Sequence, residues 1–135
     1  MLLIYDVGYG RFKNVGDLIK LLKERDVQVL VDIRAFPRSK IPGFNRENLC
    51  RCLRDNGLDY VWLGDKLGGY RKGGYEKFME SEIFKDGLEE LIQLAMRRTV
   101  CIMCLEKKRS GCHRRFIVTK LKERGFEVKD LVEGV

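Results

Sequence analysis

One histidine and two prolines in 135 residues leave little material for several familiar kinds of site. The single imidazole, His113, confines any acid–base scheme to one ring of that type. Both prolines, Pro37 and Pro42, fall within Ala35–Phe44, so they mark one loop and break no other segment. Long apolar runs are absent. The longest, Met1–Ile4 and Val100–Leu105, fall far short of the ~18–20 residues that a membrane span needs. No basic-then-apolar leader opens the chain, so secretion is not expected. The five cysteines are odd in number and irregular in spacing, which excludes a disulfide framework and points to reduced thiols in the cytoplasm. Zinc is not expected either. Cys101-x-x-Cys104 with Cys112-His113 offers ligand types, but the first two lie on a buried strand rather than a metal-binding turn. Internal repeats, low-complexity tracts and linkers are likewise missing.

What is present is enough apolar residue for a core, 44% of the chain. The length suits one compact domain over residues 1–135. Lys and Arg number 27 against 20 Asp and Glu, a net charge of +7. That excess fits either plain solubility or an anionic partner, nucleic acid or a phosphorylated small molecule.

Apolar patterning alternates between two periods. Leu2–Val7 reads as a buried strand. Asn14 caps a helix with Asp17 in the capping-box position, and Val15, Leu18, Ile19 and Leu22 form one stripe. Val27–Ile33 is near-continuously apolar, as strands of a parallel sheet are. Asn45 caps a helix to Asn56 with Leu49, Cys50 and Leu53 inward, and Gly57 stops it. Leu58–Leu63 is a strand and Gly64–Gly74 a long glycine-rich loop. Helical patterning covers Tyr75–Glu82 and Asp86–Arg97. Thr99–Cys104 is a strand. Ser110 caps a helix to Arg124 whose inner face includes Cys112, Phe116, Ile117 and Leu121, and Phe126–Leu131 is the last strand. The order implies an α/β fold, a Rossmann-like three-layer domain with a mostly parallel sheet flanked by helices.

Ligands of such sheets bind beyond the carboxyl ends of the strands. Gly8-Tyr9 follows the first strand, and Asp32, Arg34 and Arg38 end or follow the second. Arg71 lies in the glycine-rich loop, and Cys104 and Glu106 end the fourth strand. Arg114 and Arg115 then open the last helix beside Lys107, Lys108 and Arg109, where a helix N-terminus favours an anion and lowers a nearby thiol pKa. Cys104 reads either as that thiolate or as a small buried core residue. Cys112, on an apolar stripe, reads more as core than as reactive. Cys101 reads as core, and nothing distinguishes Cys50 and Cys52. His113 is a candidate proton acceptor, and Glu106 either an acid–base or a partner of Arg114. The expected catalytic residues are Cys104, Glu106 and His113. Expected ligand contacts are Gly8, Tyr9, Asp32, Arg34, Arg38, Arg71 and Arg114. No cofactor is expected.

Val31-Asp32-Ile33-Arg34-Ala35-Phe36-Pro37-Arg38-Ser39 resembles the signature of domain-of-unknown-function family 488. So do Tyr60-Val61-Trp62-Leu63, Leu67-Gly68-Gly69-Tyr70-Arg71, and Cys104-Leu105-Glu106 followed by Cys112-His113-Arg114. The resemblance implies a small α/β fold with a shared polar cleft, and no particular reaction. Asp6-Val7-Gly8-Tyr9-Gly10 departs from the Thr-Ile-Gly-His-Ser usual there, and a histidine often found near the last strand is replaced around Asp130. A looser likeness is to rhodanese-like domains, whose Asp-x-Arg strand looks like Val29–Arg34 and whose cysteine loop carries sulfur on a thiolate. Phosphatases of the Cys-x-x-x-x-x-Arg kind use related geometry, but here that spacing from Cys104 falls on Ser110. The leading expectation is a cleft for a phosphate- or nucleotide-like anion. Transfer through a Cys104 thiolate and nucleic-acid binding are the alternatives.

Overall fold

The computed structural model describes residues 2–106 and 112–134. Among these, five strands form one sheet: β1 Leu3–Gly8, β2 Val29–Asp32, β3 Asp59–Trp62, β4 Val100–Cys104 and β5 Glu127–Asp130. Their order is β3-β2-β4-β1-β5, and every pairing is parallel. The expected α/β class holds, and "mostly parallel" sharpens to wholly parallel among the described residues. β4 is buried throughout and sits at the centre, where both faces are covered. No helix of the described residues is long and apolar enough to cross a membrane.

Two helical layers cover the sheet. Helices α1 Val15–Glu24 and α2 Arg46–Asp55 bury Leu18, Ile19, Leu22, Leu49 and Leu53 on one face. The other face takes α3 Gly64–Leu67, α4 Tyr75–Phe78, α5 Glu82–Ala95 and α6 Arg114–Glu123, through residues such as Leu67, Phe84, Leu91, Ile117 and Leu121. Alternation along the strands divides the cores. Ile4, Val31, Ile102 and Cys104 face the α5–α6 layer, whereas Val7, Leu30, Cys101 and Met103 face the α1–α2 layer.

Caps explain where several helices begin. The Asn14 side chain accepts from the Asp17 N–H at 3.0 Å, as the capping pattern predicts. Asn45 does not cap α2 with its side chain; its Oδ1 accepts from the Ser39 N–H at 2.7 Å and ties down the proline loop instead. Helical patterning from Tyr75 onward resolves into α4 and α5, because Ser81 caps a new helix by accepting from the Phe84 N–H. The glycine-rich loop contains α3. There a Cβ on Gly64 would sit 1.8 Å from the Arg34 carbonyl oxygen, so only glycine lets that turn close on the β2 loop. Helix α6 starts at Arg114, with His113 at its cap position. Cys112 therefore lies before the helix rather than on its stripe. The proposed cap, Ser110, lies outside the described residues.

Candidate functional site

A cleft of about 600 Å³ opens beyond the carboxyl ends of the strands. Of the residues singled out from the sequence, Tyr9, Arg34, Arg38, Arg71, Cys104, Glu106 and His113 line it. Phe36, Gly69, Tyr70, Tyr75 and Cys112 line it as well. Gly8, Asp32 and Arg114 are not among the lining residues. Lys107, Lys108 and Arg109, expected to strengthen the anion site, lie outside the described residues.

Asp32 and Arg34 belong to the wall. The fully buried Asp32 carboxylate accepts from Arg34 Nε at 2.8 Å, Arg34 Nη2 at 2.7 Å and the Arg34 N–H at 3.0 Å. The Tyr60 hydroxyl donates to the same carboxylate at 2.6 Å. Burial first, and then the neighbouring Asp32 charge, push the Tyr60 hydroxyl pKa up. Arg34 Nη1 donates to the Phe44 carbonyl at 2.6 Å, and its guanidinium lies over the Tyr9 ring, itself stacked on Phe44. Asp32 is thus consumed as the anchor of Arg34 and does not reach the cleft. Gly8 is backbone of β1 paired with Cys104.

Arg114 corrects the expectation of a cleft-lining cation. It is fully buried, and its Nε lies 3.0 Å from the equally buried Asp6 Oδ2. At the first residue of α6 its side chain runs back under the strands, as helical side chains lean toward the N-terminus. There it serves the thiols. Arg114 Nη1 donates to Cys104 Sγ at 3.4 Å, and the Arg114 backbone N–H donates to Cys112 Sγ at 3.3 Å.

Cys104 and Cys112 both line the cleft and share Arg114, whose Nη1 and backbone N–H each reach one of the two sulfurs. The neighbouring Cys112 sulfur holds the Cys104 thiol pKa up, and burial adds to this. The neighbouring Cys104 thiol lowers the pKa of Cys112 below the ordinary thiol value, with help from His113 and the Arg114 N–H against the cost of burial. His113 completes the arrangement. Its Nε2 lies 3.3 Å from the Ile33 carbonyl, which only accepts, so Nε2 carries a proton. Nδ1 then faces Cys112 Sγ at 3.6 Å as the acceptor for the thiol proton. A Cβ on Gly69 would stand 3.0 Å from that Nδ1, so the glycine permits the ring its place. Tyr75 packs on the imidazole with ring centroids 5.1 Å apart and donates its hydroxyl to the Leu67 carbonyl at 2.7 Å.

The remaining cations differ in freedom. Arg71 donates to the carbonyls of Gly68 at 2.9 Å and Asp65 at 2.8 Å, and lies on the Phe78 ring. Arg38 is exposed and its side chain has no protein partner among the described residues. At the rim, Phe36 and Tyr70 are 71% and 92% exposed, and their rings meet at 6.1 Å. Tyr70 has φ of 60°, the left-handed region that strains a bulky side chain.

Asp6 and Cys112 were not put forward as site residues from the sequence. The signal for Asp6 was a carboxylate inside an otherwise apolar strand. That for Cys112 was its bond to His113 in sequence, which its placement on an apolar stripe obscured. Among the described residues, no three His, Cys, Asp or Glu converge as metal ligands.

Fold and cleft together describe a parallel α/β protein with two cysteines, Cys104 and Cys112, at the carboxyl edge of its sheet. The model of the domain of unknown function DUF488 matches residues 14–74 and 71–121, and the chain belongs to that family. Neither a curated protein nor a solved structure matches it.

Proposed function

We propose that the cleft binds a small anionic molecule and that the chain acts on it through a thiolate at Cys112. The observation that carries this reading is the pair of contacts on the Cys112 sulfur, the Arg114 N–H at 3.3 Å and His113 Nδ1 at 3.6 Å, with Cys104 lining the same cleft. His113 takes the thiol proton, and the resulting imidazolium stabilises the thiolate. Arg38, without a partner among the described residues, meets the ligand's anionic group, while Arg34 and Arg71 raise the potential of the walls. Glu106, at the cleft, is placed for proton transfer to or from the bound molecule. In this scheme Cys104 supports the reactive thiol instead of being the reactive thiol. Nucleic-acid binding rests on net charge alone and is not adopted.

The test is alkylation of the intact protein with iodoacetamide across pH, with each modified cysteine identified by peptide mass. The expected result is selective labelling of Cys112 well below the ordinary thiol pKa of ~8.5. Labelling of Cys112 only above that value, or no faster than Cys50 and Cys52, overturns the reading.

A further inference from the structure

We propose that Cys104 is the resolving thiol for Cys112, so that the cleft performs two-electron thiol–disulfide exchange on a small disulfide bearing an anionic group. The inference rests on the thiolate reading above and goes further by naming the reaction and the substrate class.

Three observations carry it. First, both sulfurs line one cleft and are reached by the same residue, Arg114, at 3.3 and 3.4 Å, although they come from different elements, β4 and the approach to α6. A thiolate that only attacked and was then hydrolysed would have no use for a second thiol in the same cleft. Second, the two thiols have separate support. Cys112 has the imidazole and a backbone N–H, whereas Cys104 has the Arg114 guanidinium at 3.4 Å. The guanidinium, held by Asp6 at 3.0 Å, remains beside Cys104 when that thiol in turn must lose its proton. Third, the neighbouring thiol in β4, Cys101, points to the opposite face of the sheet and is buried in the α1–α2 layer. Among these β4 cysteines, only Cys104 shares the face of the site.

The Cys112 thiolate attacks one sulfur of the substrate disulfide, whose S–S bond breaks. The departing thiolate takes a proton from the His113 imidazolium, leaving a mixed disulfide on Cys112. Cys104 then gives up its proton to the neutral imidazole and attacks Cys112 Sγ. The mixed disulfide breaks, the second substrate thiolate leaves and is protonated, and a Cys104–Cys112 disulfide remains. Two protein thiols and one disulfide become one protein disulfide and two small thiols, with two electrons passed to the substrate. A small thiol reductant reverses the exchange and restores the pair. The anionic group is assigned to Arg38, the cleft cation without a protein partner among the described residues.

The experiment treats the reduced full chain with oxidised glutathione, an anionic disulfide, and with cystamine, a cationic one, at neutral pH. Released thiol is counted and the protein is mapped by mass. The expected result is two small thiols released per chain and a Cys104–Cys112 disulfide. Cys104→Ser, and Cys104→Ala as a second variant should the first fold poorly, release one and retain a mixed disulfide on Cys112. Arg38→Ala slows the reaction with oxidised glutathione by about tenfold, the scale of one charged contact, and does not slow that with cystamine. A mixed disulfide that persists on Cys112 in the unmodified chain overturns the resolving role and leaves the thiolate reading standing. Equal rates for the two disulfides overturn the assigned substrate charge. Absence of low-pH alkylation at Cys112 removes both proposals.

Discussion

Among the described residues, each helical layer holds a fully or nearly fully buried carboxylate–guanidinium pair near the strand ends, and the two pairs have different surroundings. Asp32 and Arg34 are two residues apart in the chain, and their bonds run to Tyr60 and Phe44 in the α1–α2 layer. Asp6 and Arg114 sit at opposite ends of the chain and meet beneath the thiols in the α5–α6 layer. The first pair is closed on itself: every bond described for its carboxylate holds the wall. The second has a guanidinium nitrogen directed at Cys104. A buried charge is tolerated only when paired, and the spare donor of such a pair can then polarise a neighbour. The comparison teaches that burial of an arginine says little about function until its remaining donors are followed.

Breaking either pair is expected to give the largest effect on stability. Asp6→Ala and Asp32→Ala each leave a buried guanidinium without its carboxylate, costing about 3–5 kcal/mol in urea denaturation. The two variants are expected to diverge in reactivity. Asp6→Asn alters the alkylation rate of Cys112, because Arg114 shifts beside the thiols; Asp32→Asn leaves it unchanged. Equal effects on alkylation would mean that the two layers are not distinct in function.

The thiol pair sets a pH dependence. Folding lowers the Cys112 pKa, so its contribution to stability is full above the unfolded value of ~8.5 and is lost as pH falls through the folded value. The stability advantage of the unmodified protein over Cys112→Ser should therefore shrink on acidification from pH ~8.5. An advantage that grows on acidification contradicts the assigned direction. Over the same range the alkylation rate of an unperturbed thiol falls about tenfold per unit, whereas that of Cys112 is expected to fall far less.

A smaller effect is expected at Gly69. Gly69→Ala presses on His113 Nδ1 and should reduce Cys112 alkylation several-fold while changing the denaturation midpoint little. The smallest lies at the rim. Tyr70→Gly removes the left-handed strain of a bulky residue and is expected to stabilise the chain by up to about 1 kcal/mol, read as a raised Tm. A lower Tm would show that the exposed ring contributes packing that outweighs the strain.

Much of the scaffold was legible in the chain because its causes are local. Leu18, Ile19 and Leu22 recur at helical spacing, and the apolar runs of β2 and β4 mark strands covered on both faces. Asn14 capped its helix as read, whereas Asn45 found a competing donor in Ser39, which sequence separation concealed. The same held for the site. Arg34, Arg38, Arg71, Cys104, Glu106 and His113 could be gathered at one sheet edge from strand order alone. Arg114 was placed at the right edge but on the wrong side of the surface. Its helix begins one turn later than the Ser110 cap predicted, and Asp6 waits below it.

The sequence by itself determined the alternation of strands and helices, the parallel sheet and the edge where polar residues collect. Hydrophobic period and loop position follow from neighbours a few residues apart. Tertiary structure alone decided the surroundings of each thiol and of each arginine. Those outcomes depend on Asp6 meeting Arg114 across the length of the chain, on the Ile33 carbonyl facing His113 Nε2, and on Arg114 reaching both Cys104 and Cys112. Charge and hydrogen bonding act through space at a few ångströms, and only the folded chain sets those distances.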